Sequence, residues 1–416
     1  MVSTRFFLLS LLVAAPLAGQ SSSIAARPGS DGSTTVRWNR LVPIFGDQTA
    51  ASRRAARGSA KAAGDTAALR RIAQSPPPIL FRVYTLLSVA QYGAAKAARD
   101  KGGISSDAAV ASASAAVLTE QFTDSITRAS IARELAKDLE AAAARSHRSE
   151  HTVAGQRLGE DIAARVIASA PPLANFAAPW NGTIPKGPGM WTSAPGIPPI
   201  GILMAQARPW LLDSPAQFRP APPPAYGSPT FQAALEEVRR VARERTPEQT
   251  KIAQNWNESD PWARWNDVAS AAVRRHRLSE VDAARVFAVL NAAASDAVIA
   301  CFEAKYHYWS IRPSQADTTL VLADSVSLPN FPSYPSGHAC SAGAFDGVLA
   351  AYFPQDRAEF RRIAEEQAMS RLYGGIHYRF DNDGGLALGR TVAKYDVERE
   401  RRGGFNVLRT ARVEGR

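Results

Sequence analysis

The sequence predicts an all-α protein, a large helical bundle with an anion site among its C-terminal helices and a long proline-rich surface excursion. Three observations carry this expectation. Alanine-rich stretches with helical periodicity recur through most of the chain, and no series of segments alternates apolar and polar residues with the period of two that half-buried strands show. Helix-start signals stand where periodic runs begin, as at Thr246-Pro247-Glu248 and Ser279-x-x-Asp282.

In chain order, residues 1–25 read as a signal peptide: Arg5, an apolar run from Phe6 to Ala15, then small residues, with cleavage expected between Ala18 and Ala25. The run is too short for a membrane anchor, so the expectation is export, to the periplasm or the medium. Residues 26–65 are rich in Ser, Gly, Ala and Arg and are expected to be low-complexity and poorly ordered. A single helical domain is expected over 66–402. Its helices fall at about 66–100, 106–122, 125–146 and 152–170, where alanine allows close packing, and at about 229–245, 247–257, 261–277, 280–309, 337–352, 356–372 and 384–402. Between the two sets, residues 171–228 are dense in proline and glycine and should wrap over the helical body. Residues 279–402 form the expected active-site core and 403–416 a tail. One domain is preferred because the C-terminal helices need the earlier ones to cover their backs.

Composition narrows the function. A chain of 416 residues with 45% hydrophobic and 21% charged residues is ordinary for a soluble globular protein. The net charge of +11 is spread over helical stretches such as RRAARGSAK, without a nucleic-acid module, so nucleic acid is not an expected partner. No segment after the signal is an uninterrupted apolar run of spanning length; VFAVLNAAASDAVIACF contains Asn291 and Asp296. Cys301 and Cys340 can form a disulfide or remain two buried thiols, and neither a four-thiolate zinc site nor a Cys-x2-Cys-His haem attachment is present.

Chemistry concentrates in three segments near the C-terminus. In KYHYWSIRP a helix would put Lys305 and Arg312, seven residues apart, on one face before Pro313 ends it. In FPSYPSGHACSAGAF a proline turn leads through Ser336 and Gly337 into a helix. Backbone N–H groups, a hydroxyl and the positive end of the helix dipole then meet at one point, beside His338 in the first turn. In SRLYGGIHYRFD, Arg371 precedes and His377 follows the Gly374-Gly375 break. Asp381, at i+4, can hold one imidazole nitrogen and leave the other free. Three cations, a hydroxyl and two histidines suit a phosphate or vanadate ion, with one histidine as nucleophile or axial ligand and the other as acid/base.

Other candidates read as structural. His147 and His151 are four apart but lack a third ligand, His307 points to another helix face as packing or support, and His276 lies among arginines at the surface. Trp256, Trp262 and Trp265 have the spacing of a core face, and Gly187-x-Gly189 is too slight for a nucleotide loop.

The three segments resemble the tripartite signature of the superfamily that joins vanadium-dependent haloperoxidases to type 2 phosphatidic-acid phosphatases and bacterial acid phosphatases. The likeness extends upstream through RTPEQTKIAQNW, PWARWNDVA and SEVDAARVFAVL, over most of residues 75–400, and looks like the exported, all-helical bacterial haloperoxidase branch. It implies vanadate held by Lys305, Arg312, Ser336, Gly337 and Arg371, with His377 as axial vanadium ligand, His338 as acid/base and Asp381 as support. Substrates would then be hydrogen peroxide, halide and small organic molecules, Lys305 polarising the bound peroxide. Phe331 matches a phenylalanine of fungal chloroperoxidases and Phe302 replaces a tryptophan of that motif; both are assigned to the halide pocket, and bromide is expected ahead of chloride. The same cradle in a phosphatase would take a phosphoester without any cofactor and form a phosphohistidine on His377. A third reading, a catalytically dead anion-binding protein, is disfavoured because no signature side chain is missing.

Overall fold

In the computed structural model, residues 32–68, 79–146, 148–170, 180 and 182–405 are described. They form an all-α bundle with no β-strand among them; the one extended pairing is an isolated bridge between Met190 and Ser310. The expected signal peptide, His147 and most of the 403–416 tail lie outside the described residues.

The helices are α1 (Thr34–Ala62), α2 (Leu80–Lys101), α3 (Ser106–Gln121), α4 (Ser125–Ser146), α5 (Ser149–Ser169), α6 (Pro229–Glu244), α7 (Pro247–Glu258), α8 (Pro261–Arg275), α9 (Glu280–Tyr308), α10 (Pro313–Ala316), α11 (Gly337–Tyr352), α12 (Arg357–Tyr373) and α13 (Arg379–Arg401). At its centre runs α9, buried on every face from Ala283 to Cys301 except Arg285, and packed on α2, α11 and α13. It is the one described helix long and apolar enough to cross a membrane, and 94% of its apolar window is buried inside the protein. An all-round apolar helix of this kind is what a bundle core requires.

Residues 34–62 correct the expectation of a poorly ordered segment at 26–65. Their composition hides an apolar stripe, Trp38, Val42 and Phe45, that is fully buried in the core. The start of α1 is fixed from afar: the Glu280 carboxylate accepts from Thr34 N, Thr35 N and the Thr35 hydroxyl at 3.0, 2.8 and 2.6 Å. A carboxylate at a helix N-terminus meets unpaired N–H groups and the positive dipole end.

The excursion is irregular over 182–228 apart from a 3-10 turn at Ile202–Gln206. It is pinned rather than loose. Asp296, on α9, accepts from the backbone N–H of Trp210, Leu211 and Leu212 at 2.7, 2.7 and 3.0 Å, while Gly189 O receives Ile311 N. The Gly187-x-Gly189 segment therefore fastens the excursion beside the site.

One side-chain placement and one helix boundary in the core differ from expectation, each with consequences for the site. The helix α9 ends where expected, at a left-handed Trp309 (φ 50°), and Pro313 holds Arg312 in an extended conformation (φ −84°, ψ 157°) beyond it. Lys305 and Arg312 are thus not on one helix face. At the other end α13 begins at Arg379 and not near 384, because the glycines of DNDGG serve as contact points and not as breakers. A Cβ at Gly385 would stand 2.7 Å from Ser336 O and one at Gly389 2.1 Å from Cys340 O. Glycine alone lets α13 lie this close to α11, which brings Asp381 against the turn carrying Ser336; Ser336 N donates to Asp381 O at 2.9 Å.

Candidate active site

The structure brings Lys305, Arg312, Ser336, Gly337, His338, Arg371 and His377 to one pocket between α9, α11, α12 and the start of α13, with Asp381 directly behind His377. Lys305, Arg312, Ser336, Arg371, His377 and Asp381 are all buried, while Gly337, His338 and Phe331 keep partial exposure, so the pocket opens on that side.

Each cation is fastened at one end and free at the other. Lys305 Nζ donates to Pro332 O (2.9 Å) and Ser333 O (2.8 Å), leaving one of its three N–H groups. Arg312 Nε donates to Phe331 O (2.9 Å) and Nη1 to Ile376 O (2.7 Å), while its buried Nη2 has no partner. Arg371 Nη2 reaches Asn257 Oδ1 at 3.3 Å, and its Nε and Nη1 are buried without partners. Ser336 is the N-cap residue of α11, yet its hydroxyl makes no capping bond and is also buried and unpartnered. Orphaned buried donors on guanidinium groups are costly and rare, because they forfeit water without replacement. Here they surround the first-turn N–H groups of α11, and a Cβ on Gly337 would touch nothing within 4 Å. A tetrahedral oxyanion is the group whose acceptors match this donor set.

His377 lies just before α13. Its Nδ1 is 2.9 Å from Asp381 Oδ2, which also accepts from the Ser333 hydroxyl (2.5 Å) and Tyr378 N (3.1 Å). Nε2 faces Arg312 Nη1 at 3.4 Å. An arginine N–H can only donate, so the proton belongs on Nδ1 and the Nε2 lone pair points toward the cradle. Asp381 therefore orients the imidazole and does not itself reach the pocket. Burial, with Arg312, Lys305 and Arg371 adding repulsion, holds the His377 pKa well below the usual histidine range.

His338 is held well below that range too, by burial first and Arg371 next. Its Nε2 stands 3.3 Å from Trp256 O, an acceptor, which leaves Nδ1 as the basic nitrogen of a neutral ring. Burial likewise pushes Lys305 down to about 8, Arg312 to about 9 and Arg371 to about 10, and Asp381 up to about 6. The guanidinium groups stay charged at neutral pH, so three buried cations face one buried carboxylate.

Phe331 and Phe302 form an apolar wall with ring centroids 5.3 Å apart, and Lys305 Nζ and Arg312 Cζ each lie 5.0 Å from the Phe331 centroid. Cys301 and Cys340 are buried free thiols. Trp256, Trp262 and Trp265 are core residues, and Trp265 Nε1 bonds Gln367, whose amide holds His338 O at 3.0 Å. His307 is exposed against Tyr308 and not a support of the site; His276 pairs with Asp356 at 2.8 Å. Ser333, Asn257 and Gln367 hold site residues without having been singled out. Ser333 was within reach, since it sits in the same proline turn as Ser336. Asn257 and Gln367 come from other helices and carry no local signal.

Fold and site together define a helical protein built around a buried cationic cradle. Residues 285–398, which contain every cradle residue, match the PAP2 superfamily model. A crystal structure described as the first bacterial vanadium-dependent iodoperoxidase superposes with a TM-score of 0.65 at 25% identity, covering 78% of this chain and 91% of that one. An apo bacterial vanadium-dependent chloroperoxidase, at 12% identity, shares the fold with a TM-score of 0.63 over 79% of this chain and 95% of its own. Among characterised relatives, the vanadium-dependent bromoperoxidase of Ascophyllum nodosum is 34% identical over 101 residues, 17% of this chain and 18% of that protein. The lipid A 1-phosphatase of Rhizobium etli is 42% identical over 59 residues, 14% of this chain and 25% of that protein. These two matches therefore span a quarter or less of the relatives' lengths. The PAP2 superfamily matched over residues 285–398 is the one the three segments resemble.

Proposed function

We propose that this protein is a vanadate-dependent haloperoxidase that uses hydrogen peroxide to oxidise halide to hypohalous acid, bromide ahead of chloride. The observation that carries the reading is the set of buried donors without partners, Arg312 Nη2, Arg371 Nε and Nη1 and the Ser336 hydroxyl, gathered round the free Nε2 of His377. These residues, with Lys305 and Gly337 N–H, would hold vanadate, and His377 Nε2 would be its nitrogen ligand. Bound vanadate would supply a Lewis acid that activates peroxide without changing oxidation state. His338, kept neutral, is suited to take a proton from incoming peroxide at Nδ1. Lys305 has one N–H left to donate to an anion held there, and Phe331 and Phe302 would exclude water beside it. Support for this branch comes from likeness over most of the chain to a bacterial iodoperoxidase at 25% identity. Iodide, the most easily oxidised halide, therefore belongs in the assay. Export, inferred from residues 1–25, is part of the proposal and is checked by the N-terminus of protein recovered outside the cytoplasm.

A second reading has its own support in the 42% identity to lipid A 1-phosphatases around the signature. There His377 Nε2 would attack phosphorus and His338 would protonate the leaving alcohol. Purified protein, with and without vanadate, should be assayed for peroxide-dependent iodide and bromide oxidation and for phosphomonoester hydrolysis. Vanadate-dependent halide oxidation is expected. Hydrolysis inhibited by vanadate, with no halide oxidation, would transfer the assignment to the phosphatase.

A further inference from the structure

Two nucleophilic groups near the cradle have no part in either reaction above. Cys301 and Cys340 are fully buried free thiols, Cys301 four residues before Lys305 on α9 and Cys340 four residues after Ser336 on α11. The two helices pack on each other, and their sulfurs meet: the Cys340 S–H donates to Cys301 Sγ. The Cys301 S–H in turn donates to Pro335 O at 3.6 Å, the carbonyl of the residue just before Ser336. Burial pushes the Cys340 thiol well up, whereas at Cys301 burial is outweighed by the Cys340 hydrogen bond and the Lys305 charge, so Cys301 ionises first. Thiols buried in apolar surroundings are inert packing. This pair differs in that it adjoins the residue preceding Ser336 and feels the charge of Lys305 at both sulfurs.

We propose that Cys301 and Cys340 are a peroxide-reactive dithiol, which hydrogen peroxide converts to a disulfide tying α9 to α11 one helical turn from Lys305 and from Ser336. The Cys301 sulfur attacks one peroxide oxygen, the O–O bond breaks, and hydroxide leaves with the thiol proton as water, giving a sulfenic acid. The Cys340 sulfur then attacks the Cys301 sulfur, the S–O bond breaks, and the hydroxyl leaves with the Cys340 proton as a second water. Two thiols are oxidised by two electrons and one peroxide is reduced, so no other reactant is needed. The bond closes the stretch from 301 to 340, which contains Arg312, Phe331 and Ser336, and it stops oxidation short of sulfinic and sulfonic acids. The oxidant comes from the haloperoxidase reading, on which the inference rests to that extent, and the test keeps the two apart.

Reduced wild type, free of vanadate and halide, is treated with a slight excess of hydrogen peroxide; thiols are then counted in denaturant and the intact mass is measured. Both thiols should vanish with the loss of two hydrogens, the bond lying within one chain. The melting temperature should rise by about 5 °C and fall back with dithiothreitol, the shift expected for closing a loop of this length in a protein of this size. Cys340→Ser should stop at a sulfenic acid on Cys301, trapped by dimedone, with no rise in melting temperature. Vanadate affinity of the oxidised wild type, by calorimetry, should stay within about two-fold of the reduced protein's, because the bond forms outside the donor set. Thiols that survive peroxide in the folded protein but not in urea, a disulfide between two chains, oxidation of Cys340 alone or an unchanged melting temperature would overturn the proposal. So would a loss of vanadate affinity of about ten-fold or more, since the bond would then distort the cradle and not tie it. Failure of the haloperoxidase reading shows instead as absent vanadate-dependent iodide oxidation, and leaves the thiol count as it is.

Discussion

Replacing Asp381 should weaken vanadate binding while making the protein more stable above neutral pH, and that opposition of signs is the sharpest test of how the site is built. Asp381 Oδ2 accepts from His377 Nδ1, the Ser333 hydroxyl and Tyr378 N. In Asp381→Ala the imidazole keeps at Nδ1 only Ser333, at 3.4 Å, and can turn its lone pair from the cradle. Loss of a charge-assisted bond of ~1.5–3 kcal/mol predicts a drop near the upper end of the roughly 10–100-fold range for groups that orient a metal ligand. Asp381→Asn retains an acceptor but no charge, so about ten-fold is expected. Stability runs the other way. Burial raises the Asp381 pKa from 3.8 to about 6, so the folded protein favours the protonated acid by roughly 3 kcal/mol. A raised carboxyl pKa contributes stability that is fully present below the unfolded value and is lost as pH rises through the folded value. The neutral amide escapes that loss, so Asp381→Asn should melt higher than wild type at pH 8 and about equally near pH 4. Calorimetric vanadate titration and melting curves at the two pH values check this. Vanadate affinity changed less than two-fold with the fold intact, or a lower melting temperature at pH 8, would refute the reasoning.

His377→Ala should abolish vanadate binding measured by calorimetry, whereas His338→Ala should retain it and lose about 10²–10⁴-fold in turnover; equal loss of affinity in both would show the roles misassigned. Gly389→Ala places a Cβ against Cys340 O and Ala344 N, so it should destabilise by ~1–3 kcal/mol and also loosen anion binding by moving α11 from α13; a thermal melt and the same titration suffice. Asp396 is buried with both carboxylate oxygens unpartnered, and burial together with Asp296 raises its pKa well above the usual range. Its stability contribution thus falls as pH climbs above about 4, and Asp396→Asn should raise the melting temperature more at pH 8 than at pH 5. A decrease at both values would contradict a protonated Asp396.

Legibility in the sequence followed locality. The cradle lies in three short segments where spacing carries chemistry, and Asp381 was readable because i+4 places a carboxylate beside an imidazole even across a helix start. What escaped was set by contacts far apart in the chain. The order of α1 depends on burial of Trp38, Val42 and Phe45 and on Glu280, some 245 residues away, neither visible in a Ser- and Arg-rich composition. The role of Gly385 and Gly389 depends on a neighbouring helix; in isolation Gly-Gly reads as a break. Arg312 was misplaced because helical periodicity was carried one turn too far, past the point where Pro313 already constrains its predecessor.

The placement of charge explains why so much structure is spent on one pocket. Lys305, Arg312 and Arg371 are buried against a single carboxylate, and burial pulls each of their pKa values down, so the protein holds them at a cost in the absence of an anion. That cost is contained by anchoring: two backbone carbonyls on Lys305, two on Arg312, and Asn257 on Arg371. Anchored donors cannot relax toward one another or toward solvent, so their unmet hydrogen bonds stay aimed at the same small volume. An oxyanion entering there would satisfy the orphaned groups and offset the repulsion at once. Because His377, just before α13, and His338, in the first turn of α11, approach that volume with different free nitrogens, the histidine held by Asp381 is placed to bind or attack while the other, nearer the opening, is placed to handle protons. Both proposed readings use this one volume, centred on vanadium in the first and on phosphorus in the second.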